Sequence, residues 1–93
     1  MTEAELKRAV LALAYRHGWL VYHVPATNVR GSQGKGYPDL TLARQGIVYW
    51  IELKQENGKV RPEQERWGQA LPFGHWFVLR PRDLEWLEQE ILG

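Results

Sequence analysis

The sequence contains no cysteine among its 93 residues, so neither a disulfide nor a thiolate-bound zinc contributes to the fold, and a cytoplasmic, intracellular setting is expected. No apolar run approaches the roughly 20 residues that span a bilayer. The start, Met1-Thr2-Glu3-Ala4-Glu5, lacks the basic segment and apolar stretch of a secretory leader, and the expectation is a soluble, unprocessed chain. A large net charge is also missing. With 12 Lys and Arg against 11 Asp and Glu the sum is +1, which identifies no polyanionic partner by itself. There is no internal repeat and no low-complexity tract, and the length suits a single domain, 1–93, with one core.

What is there is more informative in its placement than in its totals. Five tryptophans are many for so short a chain; Trp19, Trp50 and Trp67 are expected in the core, whereas Trp76 and Trp86 are candidates for a subunit contact. From Tyr22 to Tyr37 the sequence carries His23, Arg30 and Lys35 and no acid, while Asp83, Glu85, Glu88 and Glu90 make the last stretch acidic. One side of the molecule can therefore meet phosphates and another cannot.

Leu6, Val10, Leu13 and Ala14 recur at helical spacing, with Thr2 placed to cap and Gly18 to terminate, which predicts a helix over 2–17. Glu3 extends that apolar stripe and can point inward, or it simply favours the positive end of the helix dipole. Trp19 to Val24 predicts a first strand closed by Pro25, and Ala26 to Tyr37 a glycine-rich basic loop, either a clamp for a nucleic-acid backbone or a solvated connector. Asp39 to Arg44 and Ile47 to Gln55 predict a hairpin around Gln45-Gly46. Pro62 suits the first turn of a helix whose inner face is Gln64, Trp67, Ala70 and Leu71. His75 to Arg80 predicts a fourth strand, and Leu84, Leu87, Glu88 and Ile91 a last amphipathic helix. The fold class is α/β with a mixed, α+β-type sheet, in the order α-β-β-β-α-β-α.

Two segments of this pattern carry charge where apolar residues are the rule. Ile47 to Trp50 is apolar on both faces, as in a central strand, yet the same strand continues as Glu52-Leu53-Lys54. Side chains alternate along a strand, so Glu52 and Lys54 share a face. The hairpin brings Asp39 toward Glu52, because the turn lies midway between them. A buried carboxylate costs several kcal/mol unless it is paired or binds a metal. Glu-x-Lys alone is a weak signal, since an exposed strand often carries such a salt-bridged pair.

Pro38-Asp39 with Glu52-Leu53-Lys54, in this element order, resembles the PD-(D/E)xK nucleases and their restriction-endonuclease-like core. Within them the chain is similar to the small stand-alone VRR-Nuc domains found in phages. The resemblance is carried by Glu3, Gly18-Trp19, Tyr22-His23, Gly36-Tyr37-Pro38-Asp39-Leu40, Glu52-Leu53-Lys54, Pro62-Glu63-Gln64 and Trp67. It implies a Mg²⁺- or Mn²⁺-dependent DNA endonuclease with Glu3, Asp39, Glu52, Lys54 and Gln64 as catalytic residues. Asp39 and Glu52 are hard oxygen ligands of the kind that hold Mg²⁺ while leaving positions to water and phosphate, and the family implies the Leu53 carbonyl as a third. Lys54 would orient the attacking water and stabilise developing charge. Glu3 would complete the acidic cluster as a helix glutamate does in related junction resolvases, with Glu5 its rival. By resemblance Gln64 would bond near Lys54 or a phosphate; otherwise it caps a strand end.

His23 resembles a histidine common in the phage-type domains, and either contacts phosphate or packs with Tyr22. With Arg30 and Lys35 it makes up the expected nucleic-acid contacts. His17 and His75 are read as structural. No segment is suited to reading base edges, which favours recognition of DNA structure, and paired cuts across a Holliday junction would need a two-fold homodimer. A sequence-specific restriction-like enzyme using the loop from Ala26 to Tyr37, and a catalytically silent nucleic-acid-binding module, are the rival readings.

Overall fold

The computed structural model describes residues 1–24 and 34–93. Helix α1 (Glu3–Arg16) starts from a reciprocal capping box: Glu5 N donates to Thr2 Oγ1 at 3.1 Å and Thr2 N donates to Glu5 Oε1 at 2.7 Å. Two backbone N–H groups that helix geometry would leave orphaned are thereby satisfied. Its buried stripe is Leu6, Val10 and Ala14, and His17 closes it.

Strands β1 (Leu20–His23), β2 (Leu40–Arg44), β3 (Ile47–Leu53) and β4 (Trp76–Leu79) form one sheet in the order β1-β2-β3-β4. The first two pairings are antiparallel and β3 with β4 is parallel. That parallel pair needs a crossover, which α2 (Pro62–Ala70) supplies. In the hairpin between β2 and β3, Gln45 and Gly46 have φ of 52° and 82°, the paired left-handed conformations of a tight turn matched to strand twist. β3 ends at Leu53 rather than at Gln55: β2 begins opposite Ile51 and β4 ends opposite Leu53, so neither neighbouring strand continues past it.

Registered partners share a face, so the pairing sorts every strand residue. Val21, His23, Leu40, Leu42, Tyr49, Ile51, Leu53, Phe77 and Leu79 lie on one face, and this is where α1 and the C-terminal helical run build the core with Trp19, Leu87 and Leu92. Leu20, Tyr22, Thr41, Trp50, Glu52, Trp76 and Val78 lie on the other, and α2 covers the β3–β4 half of it. Its inner face is Gln64, Trp67, Gly68 and Leu71, while Ala70 is exposed. The helix comes so close at Gly68 that a Cβ there would meet the Trp76 ring at 2.5 Å. Trp76, expected as a subunit contact, is therefore covered by α2, whereas Trp86 is 43% exposed.

The chain after β4 is not one regular helix. A 3₁₀ turn (Pro81–Asp83) leads into α3 (Leu84–Trp86), and the hydrogen bonding then widens to the π type over Leu87–Leu92. In that register Leu87 and Leu92 are both fully buried. The Leu92 carbonyl accepts from Trp19 Nε1 at 2.9 Å and from Arg44 Nη1 at 2.8 Å. Arg44 also donates to the His17 carbonyl at 2.8 Å, and its guanidinium lies 4.4 Å from the centre of the Trp19 ring. One arginine thus ties the end of α1, the hairpin and the C-terminus together. Among the described residues no helix is long and apolar enough to cross a membrane.

Candidate active site

The register of the hairpin places two carboxylates side by side. Leu40 opposes Ile51, and Val24 N donates to the Asp39 carbonyl at 3.4 Å, so the ladder extends one residue and sets Asp39 opposite Glu52 on the α2 face of the sheet. Asp39 Oδ2 accepts from Leu53 N at 2.9 Å, which fixes the carboxylate against the end of β3. Glu52 is only 3% exposed. A carboxylate so enclosed has to be held by hydrogen bonds or opposite charge, or its folded state is heavily penalised.

Gln64 supplies part of that support. Its Nε2 donates to Glu52 Oε2 at 2.9 Å while its Oε1 accepts from Arg61 N at 2.8 Å. The amide therefore caps the start of α2 and anchors Glu52 with the same group, and at 3% exposure it is enclosed with its partner. The residues leading into Asp39 dock on this first turn as well. Gly36, with φ of +86°, sits so near that a Cβ would lie 2.6 Å from the carbonyl carbon of Glu63, which only glycine can accommodate. Tyr37 then meets Trp67 edge-on, with ring centres 4.9 Å apart, and its hydroxyl accepts from Trp50 Nε1 at 3.1 Å. Trp67 Nε1 donates to the Lys35 carbonyl at 3.1 Å. Asp39 is thus approached through a rigid arm fixed to α2.

Lys54 follows on the face of Glu52, with its backbone N–H donating to the Leu79 carbonyl at 3.0 Å. Its aliphatic stem runs over Gly58 of the next turn. That turn is held from beneath by Arg80, whose Nη1 donates to the carbonyls of Gln55 at 2.7 Å, Glu56 at 3.2 Å and Gly58 at 2.7 Å. Among the described residues no carboxylate lies in salt-bridge range of the Lys54 ammonium. The Lys54 side chain is half-buried.

The remaining expected residues are placed differently. Glu3 is exposed at the start of α1. The buried stripe of α1 begins only at Leu6. Glu5 is engaged with Thr2, whose backbone N–H and hydroxyl hold its carboxyl below the usual carboxylate range. Among the described residues no three His, Asp or Glu side chains form a group able to hold a metal, so the expected three-carboxylate cluster reduces to Asp39 and Glu52. The Leu53 peptide does lie beside Asp39.

His23 and Tyr22 are both exposed, which removes the reading of His23 as core packing. Instead Lys7 Nζ donates to His23 Nδ1 at 3.3 Å, forming a basic pair at the end of β1. A geometric signal for it existed: from Gly18 back along α1 to Lys7, and forward along β1 to His23, are both about 16 Å. Lys35 is exposed above the start of α2. There the Glu63 carboxyl is held below its ordinary value, first by its own backbone N–H and then by the charges of Lys35, Arg61 and Arg66. Arg30 lies outside the described residues. His17 and His75 are structural: His17 Nε2 bonds Glu88 Oε2 and His75 Nδ1 donates to the Val48 carbonyl, both at 2.8 Å.

Two adjacent carboxylates beside a peptide group are oxygen donors of the kind a hard divalent cation takes, with the Lys54 ammonium next along the same face. Mg²⁺ is commonly held by one or two carboxylates, the rest of its shell being water and substrate phosphate. Asp39 and Glu52 fit that requirement. No family model, curated protein or solved structure matches this chain.

Proposed function

We propose that the chain is a Mg²⁺- or Mn²⁺-dependent endonuclease that hydrolyses DNA phosphodiester bonds on a PD-(D/E)xK-type core, selecting branched structure over base sequence. One observation carries the reading: Asp39 stands opposite the buried Glu52 in the hairpin register, with Lys54 two positions further along the same face. When bound, the metal supplies charge neutralisation at the phosphate and a water of lowered pKa. Asp39 and Glu52 hold it, the Leu53 peptide and Gln64 fix their orientation, and Lys54 orients the attacking water and stabilises the charge growing on the phosphoryl oxygens. His23, Lys7 and Lys35 bind flanking phosphates, an interaction that weakens as salt rises. A two-fold homodimer provides the paired sites that a four-way junction requires.

The test is cleavage of Holliday junctions, flaps and matched duplexes by the purified chain with Mg²⁺ or Mn²⁺, beside Lys54→Ala. We expect branched substrates to be cut in preference, and the substitution to lower the rate by about 10²–10³-fold. Binding without cutting under either ion would overturn the enzymatic reading in favour of a nucleic-acid-binding module, and cutting of plain duplexes at one fixed sequence would overturn the structural selectivity. A monomer in light scattering would exclude paired junction cuts.

A further inference from the structure

Among the described residues, the α2 face of the sheet is covered over one half. Over β3 and β4 it is closed by α2, whereas over β1 the side chains of Leu20 and Tyr22 are 76% and 59% exposed, with Thr41 and Ala43 half-buried beside them. Packing among the described residues leaves this edge-strand ring open. Its position relates it to the carboxylates. Tyr22 pairs with Thr41, so Asp39, two residues before Thr41, is its diagonal neighbour on the same face at roughly 7–8 Å. That span is comparable to the separation of a nucleobase from the phosphate on its own sugar. The flanking segments suit a polyanion: Leu20 to Val24 and Gly34 to Tyr37 contain no acid, and the Lys7–His23 pair stands at the end of the same strand, on its other face.

We propose that Tyr22 is a stacking platform for an unpaired nucleobase whose phosphate lies at the Asp39–Glu52 site, which makes it a specificity-determining residue. The proposal rests on the nuclease reading of that site and refines its substrate class: strands bearing unstacked bases, as at junctions, flaps and single-stranded ends, rather than continuous duplex. Aromatic stacking is indifferent to base identity because every base has a π face. It therefore selects structure without reading sequence.

The experiment measures binding in Ca²⁺, without relying on turnover, for wild type, Tyr22→Ala and Tyr22→Phe. The probes are a short oligothymidine, an abasic strand of equal length and a matched duplex. We expect Tyr22→Ala to weaken oligothymidine binding by about 5- to 100-fold, Tyr22→Phe to retain it, and duplex affinity to stay within about twofold. Removing the bases should cost wild type a similar factor and Tyr22→Ala little more, the signature of coupled partners in a double-mutant cycle. Equal weakening on all three probes, or unchanged oligothymidine affinity in Tyr22→Ala, overturns the stacking role while leaving the nuclease reading to the Lys54→Ala assay. A Tyr22→Ala chain that loses a dimer in light scattering but keeps its oligothymidine affinity assigns this face to a second copy instead. A wild-type chain that binds none of these unbranched probes overturns the stacking proposal, and the nuclease reading is then decided by the junction and flap cleavage assay.

Discussion

Replacing Gln64 by alanine tests the connection on which the site's geometry depends. The side chain makes two hydrogen bonds with buried or half-buried partners, one to the Glu52 carboxylate and one from Arg61 N at the start of α2. A bond to a charged group contributes about 1.5–3 kcal/mol and a helix cap about 0.5–2 kcal/mol. Sharing one amide makes them less than additive, so the expected loss is about 2–4 kcal/mol. In a domain of this size each kcal/mol shifts the midpoint by about 4–8 °C, which places the effect well outside error in thermal or urea unfolding. Gln64→Glu then isolates the contact with Glu52. Two facing carboxyls can bond only by sharing a proton, so in the folded variant one pKa is raised. A raised folded-state value adds stability that is fully present below the unfolded pKa, near 4.3, and is lost as pH rises through the folded value. Gln64→Glu should therefore approach wild-type stability at acidic pH and fall away toward neutrality, whereas the deficit of Gln64→Ala should show no such recovery. A Gln64→Ala change under about 0.5 kcal/mol, within the range of an ordinary surface substitution, would refute the argument that this amide supports Glu52.

Two shorter predictions concern charges away from the carboxylates. Lys7→Ala should weaken DNA binding about equally for all sequences and reduce the slope of log affinity against log salt by about 1; an unchanged slope in a salt titration would remove Lys7 from the phosphate contacts. Glu88 accepts from His17 and pairs with Arg16 at 3.4 Å, and the His17 hydrogen bond is the main reason its carboxyl sits below the usual carboxylate range. A lowered folded-state pKa gives stability that is present above the unfolded value and lost as pH falls through the folded one. The stability gap between wild type and Glu88→Gln should accordingly be present at neutral pH and close below about pH 4; urea midpoints across that range provide the check.

Much of the scaffold is legible from the sequence because local and long-range signals agree in it. Thr2 and Glu5 form the capping box that their spacing offers, Gln45-Gly46 turns the hairpin where the apolar runs break, and Pro62 opens α2. The C-terminal run departs from its apparent 3.6-residue period because a tertiary demand is stronger. Burying Leu92 and presenting its carbonyl to Trp19 and Arg44 requires a widened turn, and nothing local in Leu87 to Leu92 announces that. The inner face of α2 is similarly set by Trp76, whose ring draws the helix in at Gly68 and turns Ala70 outward.

The site divides along the same line. Asp39 opposite Glu52 follows from period-two alternation and a two-residue turn, both of which are sequence properties. Glu3 does not follow, because the position of a helix's first side chain depends on where the helix axis ends relative to the sheet, which apolar spacing leaves undetermined. The consequence is chemical as well as geometric. Under the proposed function, a site of Asp39 and Glu52 alone would carry one negative charge less than a cluster of three, so a divalent cation there would retain more of its charge for the scissile phosphate but be bound less tightly by the protein alone. Metal and DNA should then bind cooperatively, each supplying ligands or charge the other lacks. If Mg²⁺ raises DNA affinity by a given factor, DNA must raise Mg²⁺ affinity by the same factor, and Asp39→Asn should reduce both together. Independent binding of the two would count against Asp39 and Glu52 as a shared metal and phosphate site.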